Sequence, residues 1–226
     1  DELFEILNQF KKYSGIVTVD DYDLIYKTKT EDRLSELANS NKSFKKILTS
    51  DVLLINGKKY HNWPVIKKEI KLKIHDLYHE QDNCLIHGDL CFSNIFCDFK
   101  NKNFKLVDPR GKWGTDMCGD LKYDVAKLRH SVVGGFDTIT NGLCSASLSQ
   151  NNQIIMKIFK PKNHQEVCKY LDELIQNQWN LNEIKLIEGL LFISMLPLHK
   201  DHFERQLALY SIGIQRLNEV LDETTG

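Results

Sequence analysis

The sequence predicts an α+β fold, mostly helical, with short β-hairpins. Apolar residues recur at helical spacing over most of the chain. Two short apolar runs near position 100 are joined by a polar turn, the pattern of a hairpin. The length of 226 residues, 42% of them hydrophobic, suffices for one good core in a single unit spanning 1–226.

Residues 1–80 read as N-terminal helices and a hairpin. Asp1 to Lys12 forms an amphipathic helix with Leu3, Phe4, Leu7 and Phe10 on one face. Ile16–Val19 and Leu24–Lys29 pair as a hairpin across Asp20-Asp21-Tyr22-Asp23. Glu31–Asn39, Lys42–Leu48 and Val65–Tyr78 follow as helices. Residues 81–136 hold the short apolar segment Cys84–Ile86, a loop His87–Asn94, and a hairpin of Ile95–Cys97 with Phe104–Val107 across Asp98–Asn103. A helix through Lys127–Val133 is broken at Gly134-Gly135. Residues 137–226 read as C-terminal helices: a polar loop over Asn141–Asn152, helices over Val167–Ile175 and Leu181–Leu196 (ended by Pro197), and a closing helix over Phe203–Leu221.

Composition narrows the function classes. A net charge of −1 offers no electrostatic footprint for nucleic acid. The lysines at 67, 68 and 73 read as a solvated helix face. No apolar run approaches the roughly 20 residues of a membrane span. The longest, Ile187–Leu198, is interrupted by Glu188 and Ser194 and reads as a buried helix. No charged-then-apolar leader is visible, and a chain starting at Asp rather than Met reads as an excised or processed piece. The six cysteines include no C-x-x-C pair, so free thiols in the cytoplasm are expected rather than zinc or disulfides. His199, His202 and Glu204 have generic spacing and read as an exposed cluster rather than a metal site.

Chemistry concentrates in Leu85-Ile86-His87-Gly88-Asp89-Leu90-Cys91-Phe92-Ser93-Asn94 and in Phe104-Lys105-Leu106-Val107-Asp108. Phosphoryl transfer asks little of a protein: one group to position the attacking hydroxyl and accept its proton, and oxygen ligands for the Mg²⁺ that bridges the phosphates. Asp89 suits the first role; Asn94 and Asp108 suit the second, because Mg²⁺ takes hard oxygen donors and keeps some waters. The Asp89-to-Asn94 spacing matches the H-R-D-x-x-x-x-N catalytic loop with Gly88 in place of the Arg. The hairpin carries Asn94 before its first strand and Asp108 after its second, bringing both to one edge.

This block resembles the aminoglycoside phosphotransferase and choline kinase superfamily, the protein-kinase-like small-molecule kinases, through His87, Gly88, Asp89, Asn94 and Asp108. Asp108-Pro109-Arg110-Gly111 and Gly119 to Leu128 resemble a branch associated with bacterial surface-polysaccharide synthesis. The resemblance covers about Asp1 to Phe136 and weakens outward. It implies the C-terminal lobe of a protein-kinase-like fold, ATP as phosphoryl donor, Mg²⁺, and a small hydroxylated acceptor, a sugar or sugar-like glycan precursor. Such kinases carry an N-terminal lobe with a strand-borne Lys and a loop over the phosphates. Only Gly15 and Gly57 precede Gly88, so no Gly-rich loop is present and that lobe reads as missing. A fused or partner N-terminal lobe, or a nucleotidyltransferase domain, is then an expected partner; a kinase-like module that binds without catalysing is the alternative.

Several residues have competing readings. Asp108 precedes Pro109, which favours an extended backbone and a plain turn. His87 reads as a brace beneath the loop rather than a proton carrier. The Arg110 fork suits a nucleotide or substrate phosphate, or pairs with Asp120 or Asp124. Asp124 could cap a helix; the resemblance implies instead a buried carboxylate accepting bonds from the loop backbone. Lys112, Trp113 and Thr115 sit where an activation-segment analogue would border the acceptor, with Trp113 either stacking on a sugar or packing.

Overall fold

The computed structural model describes residues 2–101, 103–114, 116–149 and 153–222, and it is α+β. The first helix, α1 (Glu2–Phe10), buries Phe4 and Leu7. The expected hairpin over 16–29 is absent: α2 (Val19–Tyr22) runs through a π-helical turn (Asp23–Thr28) into α3 (Lys29–Ser40). The cause is a capping box. Thr18 accepts from the Asp21 backbone N–H, while Asp21 takes the Thr18 backbone N–H at 2.9 Å. Asp20 and Asp21 therefore sit in a first helical turn, where the dipole favours anions, rather than in a β-turn.

Helices α4 (Lys42–Leu48) and α5 (Trp63–His75) flank a hairpin of β1 (Val52–Ile55) and β2 (Lys58–His61). Its turn is Asn56-Gly57, with φ of +49° and +82°, the two positive values a tight hairpin turn demands. Strand β3 (Asn83–Leu85) precedes the loop 87–94, and β4 (Ile95–Asp98) pairs antiparallel with β5 (Asn103–Leu106), as the apolar runs predicted. A short β6 (Cys118–Asp120) pairs antiparallel with β3 and leads into α6 (Leu121–Val132), capped by the Asp120 side chain.

Residues 137–226 are not all helical. After α7 (Phe136–Thr140) come β7 (Cys144–Leu148) and β8 (Gln153–Ile158), where 141–152 was expected to be a loop; residues 150–152 lie outside those described. β8 pairs antiparallel with β7 and parallel with β1, giving a four-stranded sheet ordered β2-β1-β8-β7. The Asn56 side chain continues this pairing by bonding both backbone groups of Met156. The segment 144–158 is thus tied to the first 80 residues.

Helices α8 (His164–Gln176), α9 (Leu181–Ser194) and α10 (Phe203–Asp222) complete the chain. α9 and α10 meet at Gly189 and Gly213: a Cβ on Gly189 would lie 2.7 Å from Leu217, and one on Gly213 2.8 Å from Ile193. Glu188 does not break the buried helix, because Arg129 and Arg216 pair with it. Arg129 also grips Asp172 through two bonds, at 2.8 and 2.9 Å. Among the described residues no helix is long and apolar enough to cross a membrane, and the six cysteines are free thiols.

Candidate functional site

The pairing of β3 with β6 lays the start of the loop 87–94 beside the first turns of α6. Asp124, in the first turn, is fully buried and accepts the backbone N–H of His87 at 2.6 Å and of Gly88 at 2.8 Å. This is the loop-holding carboxylate that the resemblance implies; the helix cap is Asp120 instead. Burial pushes the Asp124 carboxyl up to about 7, against the pull of the two N–H donors.

His87 braces the loop. Its Nε2 bonds the Val107 carbonyl at 2.8 Å, and its Nδ1 accepts the Asp89 N–H at 3.3 Å, an arrangement suited by the neutral tautomer protonated at Nε2. Its own carbonyl accepts the Arg110 N–H at 2.8 Å. One imidazole thus ties the loop to the segment leaving β5. Gly88 is required at this crossing: its φ is +76°, and a Cβ there would lie 2.8 Å from the Arg110 Cβ.

Asp89 is held on both oxygens. Lys127 Nζ lies 2.7 Å from Oδ1, and the Asn94 side-chain N–H group lies 3.4 Å from Oδ2 while bonding the Asp89 carbonyl at 2.9 Å. Lys127 is buried and the Asp89 side chain half-exposed, so a cation beneath orients a carboxylate that faces solvent. Val107 donates its N–H to the Asn94 carbonyl at 3.0 Å, so the two ends of the β4–β5 hairpin do meet.

Asp108 departs from expectation. Its φ is +53°, in the left-handed region, although a residue before proline favours an extended backbone. Backbone strain of this kind, of order 1–3 kcal/mol, clusters at functional sites. Asp108 and Asp89 line one cleft of about 170 Å³ together with Lys29, Arg33, Arg110 and Lys127. Asn94 lies buried beside that cleft, joined to it through Asp89.

Arg110 pairs with neither Asp120 nor Asp124; its Nη1 donates to the Tyr123 hydroxyl at 2.9 Å. Burial raises the Tyr123 phenol, but Lys29, Arg110 and Lys127 outweigh it and hold the group below its ordinary value. Trp113 is buried and packs edge-on against Tyr22, Tyr26 and Tyr123, so it packs rather than stacks on a sugar. Thr115 lies outside the described residues.

For Mg²⁺ the donor chemistry fits: the Asp108 carboxylate and the Asn94 amide oxygen are hard ligands. Among the described residues the Asn94 Oδ1 has only a long 3.5 Å contact from Ser93 Oγ. Among the described residues no group of three His, Cys, Asp or Glu is arranged to hold a metal, so an ion here would rely on the amide, waters and phosphate oxygens.

Sequence reasoning missed Lys127, Tyr123, Lys29 and Arg33. Lys29 and Arg33 are one helical turn apart on α3, and Tyr123 and Lys127 are likewise one turn apart on α6. That spacing is the sequence signal available for each pair. No family model, no curated protein and no solved structure matches the chain.

Proposed function

We propose that this chain belongs to a phosphotransferase that moves the γ-phosphoryl group of ATP to a hydroxyl of a small metabolite. The observation that carries the reading is Asp89, fixed by Lys127 and Asn94 in a cleft shared with Asp108. The acceptor hydroxyl oxygen attacks the γ-phosphorus, the bond from that phosphorus to the bridging oxygen breaks, ADP leaves, and the hydroxyl proton passes to Asp89. Phosphoryl transfer passes through a loose transition state, so orientation of the hydroxyl counts for more than base strength. A carboxylate clamped by a buried lysine suits that demand. Asn94 and Asp108 would hold Mg²⁺, which supplies charge neutralisation at the phosphate oxygens. A sugar-like precursor of a surface glycan, handled in the cytoplasm, is the proposed acceptor.

A second reading is a kinase-like module that binds ligand without turnover. It is favoured by the segment ahead of the loop, which holds helices, the β1–β2 hairpin and the short strand β3 and has no glycine-rich stretch. Transfer of γ-³²P from ATP into acid-stable esters of a polyol panel separates the two. The first reading expects Mg²⁺-dependent transfer that Asp89→Asn lowers at least about 100-fold, the scale of a positioned proton acceptor, with far-UV circular dichroism unchanged. Transfer unaltered by Asp89→Asn would remove Asp89 from its role, and no transfer with any acceptor would favour the binding module.

A further inference from the structure

The cleft holds more positive charge than its two carboxylates answer. Lys29, Arg33, Arg110 and Lys127 line it with Asp89 and Asp108, in a chain whose net charge is −1. Lys127 pairs with Asp89. Lys29, Arg33 and Arg110 form no ion pair with a carboxylate among the described residues. Their contacts are neutral: Arg33 bonds the Ser194 carbonyl, Arg110 bonds the Tyr123 hydroxyl, and Lys29 lies 5.8 Å from the centre of the Tyr123 ring.

Holding three like charges together is unfavourable unless something anionic joins them. Burial lowers the Lys29 ammonium from its ordinary value; the Tyr123 hydroxyl works against this, while Arg110 and Arg33 add to the lowering. The same repulsion, again behind burial, acts on Arg33 from Arg110. Two forks and an ammonium converging on one cleft match the oxygens of a phosphate group.

Size favours the acceptor over the donor as the source of that phosphate. At about 170 Å³ the cleft falls below the 300–1,000 Å³ or so of sites that enclose drug-sized ligands. It suits a small phosphorylated polyol rather than a whole nucleotide. Met195 and Leu198 supply an apolar wall for the carbon skeleton.

We propose that Lys29, Arg33 and Arg110 bind a phosphate monoester already present on the acceptor, so that the substrate is a phosphorylated polyol presenting a free hydroxyl to Asp89. This rests on the phosphotransferase reading for its consequence, but the binding site itself is tested without turnover. It also places the reaction after a step that makes a phosphate monoester.

The test is calorimetry and NMR titration of the chain with inorganic phosphate, glycerol 3-phosphate and glycerol, without nucleotide or metal. Both phosphates should bind and glycerol should not. Lys29→Gln, which leaves the Arg33 bond to Ser194 in place, should weaken phosphate binding about ten-fold, as expected for one charged hydrogen bond. Arg33→Gln is the second variant, with circular dichroism checking the fold of each. Glycerol 3-phosphate should still bind in the presence of saturating Mg²⁺ and a non-hydrolysable ATP analogue. Failure of both phosphates to bind overturns the proposal, as does equal binding by wild type and both folded variants. Complete displacement by the ATP analogue assigns the cations to the donor and likewise overturns it. A phosphate site that survives while Asp89→Asn leaves transfer unaltered would instead sink the proton-accepting role and leave the site standing.

Discussion

Gly88→Ala is the sharpest probe of how the loop is held, because a second glycine supplies its control. Gly88 has φ of +76°, and an added Cβ would lie 2.8 Å from the Arg110 Cβ, against 3.4–4 Å for ordinary contact. Backbone must then move, by about 0.6 Å to restore ordinary contact, because the obstacle is a Cβ rather than a flexible side-chain end. The left-handed conformation alone costs an alanine about 1–2 kcal/mol, and forced overpacking adds about 1–3 kcal/mol. Gly111 has a similar φ of +70° with nothing within 4 Å of its would-be Cβ, so Gly111→Ala carries only the conformational part. Urea unfolding should find Gly88→Ala less stable than Gly111→Ala by about 1–3 kcal/mol. The amide signals of His87, Asp89 and Arg110 should move in the first variant alone. Equal losses in the two variants, with those signals unmoved, would refute the close crossing of loop and Arg110.

Two further expectations follow from buried groups and from the absence of a glycine-rich loop. His130 is fully buried between Phe136 and Phe192, with ring centroids 4.4 and 3.9 Å away and neither nitrogen bonded among the described residues, and burial holds its pKa well below 6.5. The unfolded chain takes up a proton below 6.5 that the folded one refuses, so this contribution is full above 6.5 and is lost as pH falls. His130→Phe should gain on wild type by up to about 1.4 kcal/mol for each pH unit below 6.5; a difference constant from pH 7.5 to 5 in urea titrations would contradict it. Mg²⁺-ATP should bind this chain weakly, and micromolar affinity by calorimetry would refute that.

The loop and hairpin were legible because their chemistry is local. Five residues separate Asp89 from Asn94, and the β4–β5 hairpin runs over neighbouring residues. The Asn56-Gly57 hairpin was not among the predicted elements, although it carried a strong local signal, an Asn-Gly pair between Leu53 and Ile55 on one side and Tyr60 on the other. Residues 16–29 misled because a cluster of Asp suits both a turn and a helix start; Thr18 three positions before Asp21 decides between them. The parallel pairing of β1 with β8 joins residues about 100 positions apart, and no pattern within either strand specifies it. Arg110 was legible as a phosphate-binding candidate, but its grouping with Lys29, Arg33 and Lys127 was not, for the same reason. Lys29 and Arg33 come from α3, Arg110 from the segment after β5, and Lys127 from α6, so only the assembled fold brings them together. Asp108 shows tertiary contacts overriding a local preference: the His87 bonds to Val107 and Arg110 on either side of it accompany a backbone that its proline neighbour disfavours.

The central claim is that Asn94 and Asp108 would hold one divalent cation, with the phosphates it accompanies, beside Asp89. Paramagnetic broadening by Mn²⁺ in place of Mg²⁺, with millimolar non-hydrolysable ATP analogue, tests it directly. The account predicts selective loss of the amide signals of Asp89, Asn94 and Asp108, abolished by Asp108→Ala. Sharp signals at those three positions while others broaden would contradict it.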